Sequence, residues 1–286
     1  MTPRVAKGAA KRARRAARRW EGQSADDLRK RWKRAELHLF STVDSTNDVA
    51  RERAKEGAPA GALVLADAQS AGRGRGGRRW ASPKGKGLYF TLVLRPASLA
   101  NPGLLPIRAG LGVVRVLDRL VPDAAPALKW PNDVLLDGKK CGGVLAEAAW
   151  DGSRPDHVVV GVGLNVSAKG KALPRAIRGG AISVEAAAGR KVPRLDLMDA
   201  LVPELDRILA RPGEPLEPEL LRDLDAFDWL RDRRCTVQEP ERENPVEGTA
   251  SGIAPDGALL FRPDAGPLRR IVAAHVTVPE LDLPEY

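Results

Sequence analysis

Gly72-Arg73-Gly74-Arg75-Gly76-Gly77-Arg78-Arg79-Trp80 sets four guanidinium groups on a backbone that carries four glycines. Such a stretch can fold closely around an anion and offer it both amide N–H groups and charge, and phosphate is the natural guest. No Asp or Glu occurs between Asp67 and Asp118, against nine Lys or Arg, so the countercharge is expected from a ligand. Gly72, Gly74 and Gly77 also match Gly-x-Gly-x-x-Gly, a dinucleotide signature that needs a strand before it, a helix after it and an acid about twenty residues on. The strand is present as Gly61–Ala68. Trp80–Gly87 is a poor helix start, Leu88–Arg95 reads as a second strand and the acid is absent, so the dinucleotide reading fails. A Walker A loop fails as well, because Arg78-Arg79 follows Gly77 in place of Lys-Ser or Lys-Thr. What remains is a loop of about eighteen residues between two strands, read either as a binding loop, for which its length speaks, or as a flexible, solvated Arg/Gly segment.

Upstream, Leu37–Phe40 reads as a short strand, and Ser45-Thr46-Asn47-Asp48 has the spacing of a capping box opening a helix over Asn47–Glu56. Residues 1–34 hold 13 Lys and Arg against three acids, which accounts for the whole net charge of +10; the remainder is formally neutral. With Trp20, Trp32 and little else apolar, residues 1–35 are expected to be a basic arm, flexible or helical, outside the core.

Downstream, Leu104–Leu120 has core-helix spacing. Asp137-Gly138 marks a hairpin leading into a strand over Lys140–Ala148, and His157–Val166 is a strand whose Gly161 and Gly163 let a neighbour approach the backbone. Helices are expected at Ser183–Ala188, Leu195–Ala210 and Pro218–Ala226. From about Arg231 short strands at Cys235–Gln238, Val246–Ser251, Ala258–Phe261 and Leu268–Val278 predict a small all-β unit. The 286 residues, 43% of them hydrophobic, suffice for one large and one small domain. There is no apolar run of membrane-spanning length, no signal-peptide core and no Cys-x-x-Cys, which points to a reducing cytoplasm. His38, His157 and His275 match no triad or metal spacing and are expected to be structural or exposed.

Four ordered motifs resemble those of the biotin protein ligases: Ser45-Thr46-Asn47; Gln69 with Gly72–Trp80; Lys129-Trp130-Pro131-Asn132-Asp133; and Lys140-Cys141-Gly142-Gly143-Val144-Leu145-Ala146-Glu147. The resemblance spans residues 36–286. It implies an α+β fold: a mixed β-sheet catalytic domain at 36–230 with helices packed on it, of the class II synthetase-like biotin/lipoate ligase type, and an SH3-like β-barrel at 231–286. It implies that ATP and Mg²⁺ activate biotin to biotinyl-5′-AMP, which a lysine of a biotin carboxyl carrier domain then attacks, the carrier belonging to acetyl-CoA carboxylase or a related carboxylase.

Carried over by position, the resemblance assigns biotin contacts to Ser45, Thr46, Asn47, Gln69, Arg73, Gly74, Arg75, Lys140, Gly142 and Gly143. It assigns ATP and adenylate contacts to Arg73, Arg75, Arg78, Trp80, Lys129, Asn132, Lys140 and Asn165. Lys140 and Arg75 carry the catalytic charge, and Mg²⁺ arrives with ATP near Asn132 rather than in a cluster of protein ligands. Gly76 departs from relatives that carry a bulkier, often basic residue there. The repressor-type ligases place a winged helix-turn-helix ahead of this body, and 35 Ala/Arg-rich residues cannot build one, so no sequence-specific DNA binding is expected. A homodimer is compatible with the sequence and membrane association is not expected. The alternatives are a lipoate or octanoate ligase or transferase of the same fold, and a nucleic-acid-binding protein acting through the arm.

Overall fold

The structure, a computed structural model, describes residues 14–167 and 180–279. The chain runs β1 (Arg15–Ala16), β2 (Arg19–Trp20), β3 (Gln23–Ser24), α1 (Ala25–Arg31), β4 (Leu37–Thr42), α2 (Thr46–Lys55), β5 (Leu63–Ala66), β6 (Gly87–Leu94) and α3 (Leu104–Leu120). It continues with β7 (Ala127–Lys129), β8 (Asp133–Leu136), β9 (Lys139–Asp151), β10 (Arg154–Asn165), α4 (Val184–Ala188), α5 (Arg194–Ile208) and α6 (Pro218–Phe227). The last strands are β11 (Arg234–Gln238), β12 (Val246–Ile253), β13 (Leu259–Pro263), β14 (Arg269–Ile271) and β15 (His275–Thr277). The α+β expectation holds.

Eight strands form one sheet in the order β1-β4-β5-β6-β10-β9-β8-β7, in which only β4 and β5 run parallel, joined across the sheet by α2. Over β5 and β6 both faces are buried, which is why these two strands read as near-continuous apolar runs. Leu63, Leu65, Phe90, Leu92, Val158 and Val160 face one core with α3 and α5, whereas Val64, Val93 and Val159 face α2 with Val49 and Ala50. Thr91 sits in β6 between Phe90 and Leu92, on the α2 side of the pleat, and is fully buried. It needs polar partners there, and it finds them in the site described below.

Over its described part the arm carries a helix, α1, as one of the two expected forms, but it does not lie outside the core. From Arg14 on it packs: β1 extends the sheet edge beside β4, and Trp20, Leu28 and Trp32 are buried in the main core. Among the described residues three of its cations pair with the body, Arg14 with Glu52 (2.5 Å), Arg34 with Asp206 (2.6 Å) and Arg31 with Asp199. An amphipathic helix with a single fully buried leucine, closed by a capping box at Ser24 and Asp27, suffices here because the sheet supplies the other half of the core. Residues 1–13 lie outside the described residues.

The small all-β unit is present, but its five strands run β14-β13-β12-β11-β15 without pairing β14 to β15, so the ladder is open rather than a closed barrel. The long final strand expected over Leu268–Val278 splits into β14 and β15 around Val272, which is 77% exposed. Trp130 Nε1 donates to Gly257 O (2.9 Å) and ties this unit to the main sheet.

Asp228 lies at the same junction. Its Oδ1 accepts the Leu230 N–H (3.0 Å), and its buried Oδ2 finds no hydrogen-bond partner among the described residues. Burial pushes this carboxyl up from 3.8 to about 6, against the pull of Leu230 N–H and Arg231. The folded state therefore keeps a proton that the unfolded chain has released, and stability falls as pH rises across that window. Asp228→Asn is expected to be about 1–3 kcal/mol more stable than the parent at neutral pH and to lose that advantage near pH 4. Urea denaturation at both pH values measures this, and equal midpoints at neutral pH would contradict it.

Candidate active site

The start of α2 is the first wall. Ser45 is the N-cap residue, yet its side chain makes no cap bond, so the expected capping box does not form. The Thr46 N–H donates instead to Gln69 Oε1 (2.8 Å), and Gln69 Nε2 donates to Ser82 Oγ (2.8 Å) at the far root of the glycine/arginine loop. Asn47, 4% exposed, donates through Nδ2 to Glu147 Oε2 (2.7 Å) and Leu145 O (3.2 Å), and its Oδ1 accepts from Thr91 Oγ1 (2.7 Å). The amide is locked in one orientation.

Two glycines of β10 make room for this wall, as expected from the sequence. A Cβ on Gly161 would lie 2.0 Å from Asn47 Oδ1, and one on Gly163 would lie 2.5 Å from Trp80 Nε1. Trp80 thus packs closely against the β10 backbone, with Lys140 Nζ 5.7 Å from its ring centroid.

Gly72 to Trp80 folds back on itself, with Trp80 N–H donating to Gly72 O (2.8 Å) and Gly74 N–H to Arg78 O (2.7 Å). Gly76 and Gly77 turn the tip with φ of 69° and 77°, which favour glycine. Arg75 donates to Ala274 O and Arg78 to His275 Nδ1 (3.2 Å), both in or next to β15, so the small unit supplies part of the cleft. Burial lowers the Arg75 pKa from its ordinary value, with Asp133 opposing and Arg78 adding to the fall.

The loop was expected to wait for a ligand's countercharge. Arg73 does not: it is paired with Asp48 (2.6 Å) and Glu147 (3.1 Å). Burial pushes the Asp48 carboxyl up, but Arg73 and Arg51 outweigh it and hold the carboxyl below its usual range.

Lys140 enters the cleft because of a β-bulge. Strand β9 pairs Gly142 with Val134 and then Lys140 with Leu135, leaving Cys141 as an extra residue. Gly143, Leu145 and Glu147 face the cleft by period-two alternation, which without the bulge would aim Cys141 there and Lys140 at the core. The bulge reverses this: Cys141 is fully buried in the core and Lys140 Nζ reaches Asp133 Oδ1 (2.8 Å) in the cleft. Lys129 lines the same cleft, 6% exposed, its ammonium pKa lowered by burial against the attraction of Asp133. Asn132 Nδ2 donates to Val144 O (3.0 Å).

The cleft spans about 840 Å³ of space outside the protein atoms, part of it open to solvent. Ser45, Thr46, Asn47, Gln69, Arg73, Gly74, Arg75, Arg78, Trp80, Lys129, Asn132, Lys140 and Gly143 all line it. Two expected members do not. Gly142 turns toward Leu164 and Gly163 O on the other side of β9, and Asn165 is buried with its Nδ2 on Ile182 O (3.3 Å), holding the chain that returns beside Lys140. Sequence reasoning missed Asp48, Thr91, Asp133, Glu147 and His275. Glu147 was legible as the third residue of the Gly143, Leu145, Glu147 face. Asp48 was hidden by its capping-box spacing, and His275, expected to be structural or exposed, reaches the cleft only through the docking of the small unit.

Among the described residues no group of three or more His, Cys, Asp or Glu could hold a metal ion, and no helix is long and apolar enough to cross a membrane.

Residues 39–165 match the biotin/lipoate A/B protein ligase family. The chain is 36% identical over 167 residues to the bifunctional ligase/repressor BirA of Bacillus subtilis, a match covering 58% of this chain and 51% of that protein, so the chain spans about half the length of that relative. It is 34% identical over 257 residues to the biotin--[acetyl-CoA-carboxylase] ligase of Paracoccus denitrificans, covering 82% of this chain and 97% of the relative. The solved structure of the Aquifex aeolicus biotin protein ligase in complex with biotin and ATP superimposes with a TM-score of 0.70 at 27% identity, covering 85% of this chain and 98% of that one. The chain belongs to the biotin/lipoate A/B protein ligase family. Within that family its similarity lies with the biotin protein ligases.

Proposed function

We propose that the protein is an ATP-dependent biotin–protein ligase. The observation that carries the proposal is a cleft of two characters. Around the start of α2 it offers uncharged hydrogen-bonding groups, Ser45, Thr46, Asn47 and Gln69, and elsewhere it offers Arg75, Arg78, Lys129 and Lys140. Biotin has that form, a neutral ureido ring joined by an apolar chain to a carboxylate. In the first step a carboxylate oxygen attacks the α-phosphorus of ATP, the bond to the bridging oxygen breaks, and pyrophosphate leaves. Two anions must meet, so the barrier is electrostatic, and fixed cations lower it without having to reorganise.

We assign Lys140 and Arg75 to the carboxylate and α-phosphate, Arg78 and Lys129 to the remaining phosphate charge, and Trp80 to a flat face beside the nucleotide. Mg²⁺ is read as part of the nucleotide substrate: on this wall the Asp133 carboxylate is committed to Lys140, and the Asn132 amide, which donates through Nδ2 to Val144 O, is uncharged. In the second step the amine of the acceptor lysine attacks the acyl carbon of the mixed anhydride and AMP leaves. No protein nucleophile is required.

The acceptor is a biotin carboxyl carrier domain of acetyl-CoA carboxylase or a related carboxylase, and the location is cytoplasmic, where the buried thiols Cys141 and Cys235 stay reduced. We take residues 36–230 as the substrate-binding unit, with the arm's described part built into it, and 231–286 as a domain that completes the cleft through Ala274 and His275. Incubation with ATP, Mg²⁺, biotin and a carrier domain should add one biotin mass to a single carrier lysine, with lipoate as the competing acid. No added mass at saturating substrates, or preferential transfer of lipoate, would overturn the assignment.

A further inference from the structure

Arg73 stands at the first turn of the glycine/arginine loop in a closed ring of alternating charge. Its guanidinium pairs with Asp48 (2.6 Å) and Glu147 (3.1 Å), Glu147 pairs in turn with Arg51 (3.3 Å), and Arg51 pairs with Asp48. The four side chains come from three separate elements: Asp48 and Arg51 from α2, Glu147 from β9 and Arg73 from the loop. Each carboxylate is shared by two guanidinium groups, so no one side chain bears the whole ordering entropy of the ring. The ring also reaches the cleft, because Glu147 Oε2 accepts the Asn47 amide (2.7 Å) as well as Arg73.

The loop has few other means of keeping its shape. Four of its nine residues are glycines with no side chain to pack, and Gly76 and Gly77 at the tip are exposed. Besides the two backbone bonds that fold it back and the buried Trp80 at its end, its anchors are its arginines. To reach a substrate anion, Arg73 would have to abandon two carboxylates and leave them facing one another.

We propose that Glu147, acting with Asp48, is a positioning residue that holds Arg73 inward, so that the loop stands closed before substrate arrives and retains the acyl-adenylate once it has formed. Arg73 then acts as a strut and not as a ligand of the carboxylate. The retention half of this inference rests on the ligase reading given above; the shape of the ligand-free loop does not.

The test separates the two. Trypsin cleaves after Arg73, Arg75, Arg78 and Arg79, and replacing Glu147 leaves every one of those sites in place. In the ligand-free protein, Glu147→Gln is expected to speed nicking within residues 73–79, mapped by mass spectrometry, by roughly tenfold at low salt. The ring is partly exposed, with the Arg73 and Glu147 side chains at 31% and 26%, so salt should screen it. Nicking of the parent protein should therefore accelerate as sodium chloride rises, while that of the variant barely changes. An unchanged nicking rate and an unchanged salt response in Glu147→Gln would overturn the proposal whatever the activity.

With biotin and ATP, the same variant should raise the KM for biotin and, per adenylate formed, label the lysines of a bystander protein roughly tenfold faster, as adenylate escapes. If the parent makes no adenylate while nicking behaves as expected, the ligase reading fails and the strut stands. Should Glu147→Gln lose its folding transition, Arg51→Gln reports on the same ring from its outer side, with a smaller increase in nicking expected and no increase counting against the ring.

Discussion

Lys140→Ala is expected to slow biotinyl-adenylate formation about a thousandfold while leaving the fold intact. The side chain projects from a bulge whose backbone is clamped on both sides: Lys140 pairs with Leu135 of β8, its N–H donates to Gly180 O (2.9 Å) and its O accepts from Ile182 N–H (3.0 Å). Removing atoms beyond Cβ leaves all of those bonds in place. What is lost is an ammonium held by Asp133 and close to Trp80, at the point where two anions must come together. Without it Asp133 stays at the cleft as an uncompensated negative charge, which repels the incoming phosphates and deepens the defect. Pyrophosphate release under single-turnover conditions measures the rate, and circular dichroism with a thermal scan checks the fold. An adenylation rate within threefold of the parent would remove Lys140 from the mechanism.

Gly161→Ala is the second large effect, and it arises from a residue with no side chain to offer a substrate. Gly161 lies in the middle of the sheet, paired with Thr91 on one side and Leu145 on the other, so its backbone cannot retreat. The new methyl would sit 2.0 Å from Asn47 Oδ1, 2.9 Å from Cγ and 3.2 Å from Nδ2, and Asn47 would have to swing out. That breaks its bonds to Thr91, Leu145 and Glu147 together. We expect a stability loss of about 2–4 kcal/mol by urea denaturation, and biotin binding weakened at least about a hundredfold by calorimetric titration. Adding Asn47→Ala to this variant removes the clash but not the binding defect, so stability should recover relative to Gly161→Ala while affinity does not. Wild-type biotin affinity in Gly161→Ala would show that the α2 wall is not where the ring binds.

Much of the site was legible in the residues. A loop of glycines and arginines flanked by strands names its own chemistry, because charge without neighbouring acids and backbone without side chains suit few uses other than holding an anion. The glycines at 161 and 163 announced a close approach, and the structure supplies the two visitors, Asn47 and Trp80. The arm was misread because a segment's own apolar content was weighed alone. Trp20, Leu28 and Trp32 are too few to make a core, yet they are enough to complete one when a sheet edge lies beside them. The countercharge of Arg73 was missed for a related reason: a search along the chain cannot see Glu147, 74 residues away, whose carboxylate lies 3.1 Å from the guanidinium.

Local information determined the kinds of groups this protein commits to its cleft and the elements that carry them, since propensity, period and turn chemistry act over a few residues. Which of those groups face one another was decided only by the fold. A single extra residue in β9 inverts the pleat and sends Lys140 into the cleft in place of Cys141, the ion ring spends Arg73 on the loop's own shape, and the docking of the small sheet brings Ala274 and His275 to Arg75 and Arg78. Side-chain direction in a strand and charge compensation in a cleft depend on register and on distant neighbours, and neither is a property of a short stretch of chain.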